Sequence, residues 1–455
     1  MEQINGMLTS EEIGIARRAL DTALRLGAQK VRITLSKSLM DIIGTLNGEL
    51  DKVNRCLDKS MSFCLFVDGR YGTFSTNRLR DSEIESFLAN AVEIVRMLAE
   101  DRFRDLPDPS RTEKGAREGN ELKLFDPAYS KMDADRRRQL ALDAAIFSRH
   151  AGEDIVSEEG EYSDSLIDLM VLDSQGLECR HTETAFEYGV ELTVKDAGGN
   201  RYSGYWWDSS PRFNELDLHD CGETALARAR AQIGHRRIEP GKYSMVVDNE
   251  NSSRLVTPLL KALEGYAIQQ NNSFMLDCLG KQVLPQWLDI MDEPRCEGAA
   301  GSRLFDSEGV SVRTRSVIGK GVVNEYFLTT YIASKLGMEP TCDDIQRPHL
   351  LPCHAPHWPA PSTYDKKGLM EMVGEGILVT GFNGGNSNSA TGNFSFGVEG
   401  FYFRDGKIVH PVREMLITGN LLTLWNSLVA AGDDPRLCKS KLIPTLAFEN
   451  VDFSA

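Results

Sequence analysis

One short stretch of the sequence concentrates side chains that can bind a metal ion. Its members are Cys342, His349, Cys353, His354 and His357. Imidazole nitrogens and thiolate sulfurs are the ligands that zinc prefers in proteins. Their spacing matches no established zinc pattern, however, and the prolines between them predict irregular backbone. We therefore interpret the stretch as an irregular connection with solvated or hydrogen-bonded histidines, and we keep a metal site as the alternative.

A pair of carboxylates, Asp306 and Glu308, has a spacing that could serve acid–base catalysis. Side chains two positions apart lie on the same face of a strand, so both carboxylates would share a site there. Acidic residues are also common in turns, where their oxygens accept hydrogen bonds from nearby backbone N–H groups. A turn is the interpretation that we prefer.

A glycine-rich run at 381–386 is a candidate for close contact with a ligand. It includes Gly384, Gly385 and Asn386. Its glycines lack the spacing of a dinucleotide-binding fingerprint. Because glycine adopts backbone conformations that other residues avoid, the run instead predicts a tight loop between two strands.

Several motifs of self-sufficient enzymes are absent from the sequence. None of the eight histidines is followed by glutamate, so the His-Glu pair of a helical zinc peptidase site does not occur. The phosphate-binding Gly-x-x-x-x-Gly-Lys-Ser/Thr and the nucleophile motif Gly-x-Ser-x-Gly are also missing. The sequence therefore offers no complete catalytic set of a familiar type.

The composition is that of a folded protein with an acidic surface. Hydrophobic residues make up 41% of the 455 residues, and the net charge is -16. Such a charge opposes direct nucleic-acid binding, and we interpret the basic run Arg136, Arg137 and Arg138 as the solvated face of a helix start. The nine scattered cysteines, without Cys-x-x-Cys, and the lack of a targeting or membrane segment predict a reduced, cytoplasmic protein.

The first half predicts helices alternating with antiparallel strands. Thr9 and Glu12 suit a capping box at the start of a first helix. Asp68-Gly69 predicts a hairpin turn, and Asp81 is the expected N-cap of a second helix. A further helix is expected from about 133 to 150.

The second half predicts mainly strands. Lys320-Gly321 and Asp405-Gly406 between apolar runs indicate hairpin turns, and Asn420 suits the N-cap of a late helix. Strands and helices without regular βαβ alternation predict an α+β fold. We place a boundary at Pro240-Gly241.

The predicted domains are an N-terminal α+β domain with antiparallel strands at 1–239 and a β-rich domain with few helices at 240–455. Within the second domain, several long runs resemble the PmbA (TldE) branch of the TldD/PmbA family, whose older name is modulator of DNA gyrase. The runs lie at 274–288, 305–310, 328–337, 389–397 and 417–420. Their number and order make this resemblance specific.

The resemblance implies that the TldD and PmbA branches of the family have different roles. The TldD branch is similar to a metallopeptidase whose His-Glu-x-x-x-His helix follows the first strand of its C-terminal domain, with a later cysteine completing the zinc site. The corresponding helix here, near 253–264, carries no histidine, and Cys438 matches the ligand cysteine. Because one thiolate cannot replace a three-ligand site, we interpret Cys438 as a remnant or a packed thiol. Zinc is therefore expected in a TldD-like partner and not in this chain.

The leading hypothesis is a non-catalytic, substrate-guiding subunit of a metalloprotease complex that acts on small unfolded peptides. Such peptides would suit an exposed strand edge, with Gly384, Gly385 and Asn386 shaping the nearby cleft. One alternative is a stand-alone hydrolase that uses metal bound by the His349–His357 cluster. Another is a binding protein that modulates a partner without proteolysis.

We predict that the isolated chain forms a homodimer of about twice 50.6 kDa, which a TldD-like partner displaces. Homologous subunits can use one surface for both pairings, and interface cores are enriched in aromatic side chains. We expect that surface in the C-terminal half, near Phe396, Phe401, Tyr402 and Phe403. Light scattering of the chain alone and mixed with a TldD-like protein measures both states. A monomer that stays monomeric in the mixture contradicts the prediction.

Overall fold

The computed structural model describes residues 6–146, 154–218 and 220–454. The chain divides into two compact units. The N-terminal unit comprises Met1–Arg228, Arg295–Val312 and Thr329–Cys342, and the C-terminal unit comprises Ala229–Pro294, Arg313–Leu328 and Asp343–Ala455. The N-terminal unit therefore includes two segments from the second half of the chain. The sequence boundary at Pro240-Gly241 stays a prediction.

The N-terminal unit is built on a six-stranded sheet in which every neighbouring pair is antiparallel. The strands are β1 (Lys30–Leu46), β2 (Glu49–Val67), β3 (Arg70–Thr76), β4 (Ile155–Asp173), β5 (Glu178–Lys195) and β6 (Arg201–Ser210). Their order across the sheet is β3-β2-β1-β4-β5-β6. The hairpin turn expected at Asp68-Gly69 is confirmed, since both residues have positive φ, as a type I′ turn requires.

Within the described residues, five α-helices accompany this sheet along the chain. They are α1 (Ser10–Arg25), α2 (Asp81–Arg96), α3 (Ala134–Ala144), α4 (Cys221–Arg230) and, after the helices of the C-terminal unit described below, α7 (Thr330–Leu336). Helices α1 and α2 pack their apolar stripes on β1 and β2, where Ile33, Leu35 and Phe63 are fully buried. The helix predicted at about 133 to 150 corresponds to α3, which ends at Ala144. The last four positions of the predicted range lie outside the described residues.

The helix starts show one confirmed prediction and one wrong one. The capping box of α1 is present, with Thr9 accepting from Glu12 N–H and Glu12 accepting from Thr9 N–H. Asp81, however, is the first residue of α2 and does not cap it, because the N-cap is Arg80. Both carboxylate oxygens of Asp81 instead accept from the guanidinium of Arg18, at 3.0 and 2.9 Å.

Arg137 lies in a buried ion pair rather than on a solvated face. Its guanidinium donates to both carboxylate oxygens of Asp164, at 2.7 and 2.9 Å. Asp41 lies 3.4 Å away, and the Arg137 and Asp164 side chains are only 4% and 0% exposed. The prediction of a solvated basic run is therefore wrong for Arg137, since a β4 carboxylate lies directly beneath α3.

The C-terminal unit contains two sheets. The smaller sheet has four strands in the order β10-β9-β8-β11. The larger sheet has seven strands in the order β12-β16-β17-β15-β14-β13-β7. The strands are β7 (Gly241–Val247), β8 (Ile290–Asp292), β9 (Arg315–Gly319), β10 (Val322–Val323), β11 (Pro348–Leu350), β12 (Cys353–His354), β13 (Glu375–Ser387), β14 (Asn393–Arg404), β15 (Lys407–Asn420), β16 (Leu428–Ala431) and β17 (Leu446–Ser454). A further pairing of β17 with β7 closes five strands into a ring.

Four helices belong to this unit, namely α5 (Ser253–Lys261), α6 (Gly265–Gln269), α8 (Lys366–Val373) and α9 (Leu421–Asn426). The turns expected at Lys320-Gly321 and Asp405-Gly406 are confirmed as two-residue loops with positive φ. Asn420 caps α9 as predicted, because its side chain accepts from Leu422 N–H at 3.0 Å.

The expected α+β class is confirmed by the mixture of helices and largely antiparallel sheets. In the part of the chain that the structure describes, no helix is both long enough and apolar enough to cross a membrane.

Replacing Arg137 by methionine tests the buried ion pair. We expect the free energy of unfolding, measured in urea, to fall by roughly 3–5 kcal/mol, since Asp164 would be left as an unpaired buried charge. The matched control is Arg18→Met, which breaks the exposed pair with Asp81 and should leave the free energy of unfolding nearly unchanged. Equal losses in the two variants would contradict this account of the N-terminal unit.

Candidate functional site

The glycine-rich run lies inside a strand, so the prediction of a loop between strands is wrong. Gly384, Gly385 and Asn386 belong to β13, which pairs with β14 along its length. Between Phe382 and Gly385 the strand contains one residue more than the facing part of β14. The run is thus a β-bulge, a feature that bends a strand and increases its twist.

Both glycines are required by the geometry of this bulge. Gly384 and Gly385 have φ values of +126° and +87°. At Gly385 a side chain would also place its Cβ 2.0 Å from the carbonyl oxygen of Ser395. Only glycine fits this backbone without moving β14.

Beyond Val379, the outer edge of β13 has no strand partner among the described residues. Strand β7 pairs with it only from Gly376 to Val379. Further along, the carbonyl of Thr380 accepts from the Asn251 amide at 2.8 Å, and that of Gly385 accepts from the Arg254 guanidinium at 3.0 Å. Beside this part of β13, the residues Phe382, Asn386 and Ser387 line an open space that they share with α5.

That space is a cleft of about 720 Å³ between α5 and β13. Its helical wall is formed by Arg254, Thr257, Pro258 and Lys261. These positions recur at i, i+3, i+4 and i+7, and therefore share one face of the helix. The opposite face, with Leu255 and other apolar residues, is buried in the core. The amphipathic character of α5 thus directs its polar face into the cleft.

Aromatic rings form another wall of the cleft. Phe382 packs edge-on against Phe396 with ring centroids 5.9 Å apart, and the Arg254 guanidinium lies 5.2 Å from the centroid of Phe396. Phe396 and Phe403 are 1% and 0% exposed within the single chain. These two rings therefore pack inside this unit and are not themselves available to a partner, and the position of a subunit interface stays a prediction.

Two lysine ammonium groups lie at the far end of α5. Lys441 donates to the Thr257 hydroxyl at 2.9 Å, and Lys261 lines the cleft one turn further along the helix. Burial, chiefly, and the positive charge of Lys261 lower the pKa of Lys441, although Asp344 acts in the opposite direction. Within the described residues, no carboxylate oxygen lies within 4.0 Å of either ammonium group.

The segment that carries Cys438 runs beside the start of α5. Lys439 donates to the Glu250 carboxylate at 3.2 Å, and Arg436 forms an ion pair with the same carboxylate. Asn249 donates to the carbonyl of Asp434 at 2.6 Å. Cys438 therefore lies in a segment anchored to this helix, as the family resemblance implies for a ligand cysteine, but α5 offers it no histidine.

The predicted histidine cluster does not converge on a common point. His349 Nδ1 lies 3.0 Å from the Glu293 carboxylate, and His354 Nδ1 lies 2.8 Å from the Tyr364 hydroxyl. His357 is 58% exposed. Each histidine thus has surroundings of its own, which agrees with the preferred interpretation of hydrogen-bonded or solvated side chains.

The cysteines of the cluster behave as packed thiols. Burial raises the pKa of Cys353 to about 12, so its thiol remains protonated at neutral pH. Cys342 is buried in the N-terminal unit. Across residues 6–146, 154–218 and 220–454, no three His, Cys, Asp or Glu side chains are grouped so that they could hold a metal ion.

Asp306 and Glu308 form a turn, as preferred. Asp306 Oδ1 accepts from the N–H groups of Glu308 and Val310, both at 2.9 Å. Glu308 accepts from Thr330 N–H at 2.8 Å and lies 3.5 Å from the guanidinium of Arg32. The two carboxylates therefore support different backbone groups and do not share a catalytic site.

The sequence analysis missed the cationic side of the cleft. Arg254, Thr257 and Lys261 could have been found from their helical spacing on one face of an amphipathic segment. Lys441 gave no such signal, because it reaches α5 from a position 180 residues further along the chain than Lys261.

Comparison with known proteins identifies the class to which this fold and cleft belong. The family profile of the PmbA/TldA metallopeptidase C-terminal domain matches residues 240–455, and that of the central domain matches residues 128–233. The chain therefore belongs to the PmbA/TldD metallopeptidase family, which confirms the resemblance.

Individual relatives agree with this assignment. The chain is 27% identical to the metalloprotease PmbA of Escherichia coli O157:H7 and 26% identical to a PmbA homolog of Haemophilus influenzae, with 95% and 91% of this chain and 95% and 90% of those proteins covered. A solved structure from Bacteroides thetaiotaomicron, described as a candidate modulator of DNA gyrase, is 40% identical with a TM-score of 0.92, covering 99% of this chain and 100% of that one. TldE from Thermococcus kodakarensis, at 17% identity and a TM-score of 0.81 over 97% of this chain and 100% of that chain, has the same fold.

Replacing Gly385 by alanine tests the bulge that shapes the cleft. We expect a loss of roughly 2–5 kcal/mol in the free energy of unfolding, because the new Cβ meets the β14 backbone and the residue must keep a positive φ. Gly241→Ala is the control, since its Cβ would meet nothing closer than 3.7 Å, and it should change stability by less than about 1 kcal/mol. An equally small loss at Gly385 would show that the bulge does not need glycine.

Proposed function

We propose that this chain is a PmbA/TldE-like subunit of a metallopeptidase complex, and that its cleft holds small unfolded peptides without a catalytic zinc of its own. The observation that carries the proposal is the free edge of β13 beside the cleft. Unpaired backbone N–H and C=O groups on such an edge can pair with an extended peptide as an added strand. Because this mode of binding uses hydrogen bonds to the backbone of the peptide, it suits peptides of varied sequence.

The size of the cleft supports this binding mode. The edge available between Thr380 and Gly385 is flanked by the Asn251 and Arg254 contacts. An extended chain advances about 3.3 Å per residue, so several peptide residues can lie along this edge. The volume of about 720 Å³ lies in the range usual for ligand clefts.

The chemistry of α5 supports the absence of a catalytic zinc. A peptidase zinc ion needs three protein ligands and an open position at which water is activated beside a base. The cleft face of α5 instead presents Arg254, Thr257 and Lys261, and Lys441 lies beside it. Positive side chains repel a divalent cation and donate no lone pairs to it. We therefore propose that a TldD-like partner supplies the zinc and the water-activating base.

Neither alternative has a supporting observation of its own. The stand-alone hydrolase requires His349, Cys353, His354 and His357 to share a metal, whereas His349 and His354 contact different partners and His357 is largely exposed. The other alternative is a binding protein that modulates a partner protein without proteolysis; the net charge of -16 opposes direct nucleic-acid binding but does not bear on a protein partner. We propose a cytoplasmic complex of two homologous subunits, with the homodimer as the state without the partner.

We predict that the isolated chain retains less than about half an equivalent of zinc after dialysis and does not cleave an unstructured peptide. Cleavage should appear when a TldD-like subunit is added. The control is a complex whose partner carries glutamine in place of the glutamate of its His-Glu-x-x-x-His motif. That complex should assemble but remain inactive, because only the base is lost.

Metal analysis and peptide cleavage followed by mass spectrometry measure both parts. One tightly bound zinc per chain that is lost in the double variant His354→Ala, His357→Ala would contradict the proposal. Chelator-sensitive cleavage that follows the isolated chain through purification would contradict it as well.

A further inference from the structure

We propose that Lys261, Lys441 and Thr257 form a carboxylate-binding subsite at one end of the cleft, which fixes the position of a bound peptide through one of its carboxylates. This inference rests on the proposed function, since it presumes a peptide in the cleft. It adds a preference for a carboxylate to a binding mode that otherwise contacts only the peptide backbone.

The first argument is that, among the described residues, no carboxylate oxygen lies within 4.0 Å of the Lys441 ammonium group, and Asp344 acts on its charge only from farther away. The residue is half-buried, and its ammonium group donates to the neutral hydroxyl of Thr257. The positive charge of Lys261 opposes the attraction by the more distant Asp344 carboxylate. Partly buried charges normally have a partner of opposite sign, because desolvation is costly. An anion bound at this position would place a negative charge directly beside the Lys441 ammonium group.

The second argument comes from the neighbouring cations, which are already satisfied. Arg436 and Lys439 both form ion pairs with Glu250. Arg254 donates to the carbonyl of Gly385. Lys261 and Lys441 thus differ from the other cations around α5 in having no carboxylate or carbonyl acceptor within the described residues.

The donors present favour a carboxylate as the ligand. Two ammonium groups can each donate to one carboxylate oxygen, and such charge-assisted hydrogen bonds are about twice as strong as neutral ones. Lys261 is exposed and has a flexible stem, so its ammonium group can move onto a ligand that contacts Lys441. Unfolded peptides carry this group at the C-terminus and on aspartate and glutamate.

The helix also sets where the carboxylate should lie along the peptide. Lys261 is seven residues after Arg254, which contacts the β13 bulge, and this separation corresponds to about 10 Å along the helix axis. An extended peptide covers that distance in about three residues. The subsite should therefore receive a carboxylate about three residues from the peptide residue beside the bulge.

Fluorescence anisotropy with three labelled, unstructured peptides tests the subsite. The first has a free C-terminus and no acidic side chain, the second is its C-terminal amide, and the third is the amide with one internal glutamate. We expect the amide to bind the wild-type chain roughly ten- to a hundredfold more weakly than the free acid, as for the loss of a charged hydrogen bond. If the glutamate peptide regains the affinity, the subsite accepts a side-chain carboxylate as well as the terminal one; if it does not, the subsite accepts only the terminal carboxylate.

The double variant Lys261→Gln, Lys441→Gln should bind all three peptides alike, at the affinity of the amide. Lys367→Gln is the matched control, because that lysine is exposed on α8 and lies near Glu371 outside the cleft. The control should retain the full preference. Thermal unfolding verifies that the variants are folded.

Equal affinity of the wild-type chain for all three peptides would overturn the subsite while leaving the proposed function intact. A preference that survives in the double variant would overturn it too. Failure of every peptide to bind would contradict the proposed function itself.

Discussion

Strand β7 pairs on both of its edges, and the arrangement of the C-terminal unit depends on this double pairing. It lies parallel to β13 and antiparallel to β17, which closes the ring of five strands. Its residues Met245, Val246 and Val247 are fully buried. Because β7 ends at Val247, the chain leaves the ring there, and Asp248 N–H donates to the carbonyl of Val379 as the last contact. Among the described residues, the outer edge of β13 continues past this point without a strand partner, and α5 begins beside that edge.

The properties of the cleft follow from this geometry. The apolar face of α5 must cover the core, so its polar face points toward the edge of β13. The resemblance implies that the corresponding helix carries metal ligands in the TldD branch, whereas here the cleft face of α5 carries Arg254 and Lys261. Under the proposed function, one scaffold serves metal chemistry in one subunit and peptide binding in another, because the difference lies in a few side chains on one helix.

Features set by local sequence were predictable, and features set by distant residues were not. The turns at Lys320-Gly321 and Asp405-Gly406 and the cap at Asn420 depend on neighbouring residues alone. The bulge at Gly384-Gly385 depends on its register with β14, so the same glycines suggested a loop. Arg137 pairs with Asp164 from the next strand in sequence, and Lys441 approaches α5 from far along the chain, so neither contact leaves a periodic signal. The α+β class was therefore predictable from the sequence, whereas most of the residues that form the cleft were not.

Amide hydrogen exchange tests the central claim, that an extended peptide pairs with the free edge of β13. The measurement follows exchange of the chain with and without an excess of an unstructured peptide, resolved by proteolytic fragment. Amides of residues 380–387 should exchange more slowly in the presence of the peptide, because an added strand protects N–H groups on this edge. Amides of β1 to β6 should be unaffected. Protection confined to other segments, with the peptide demonstrably bound, would contradict the account.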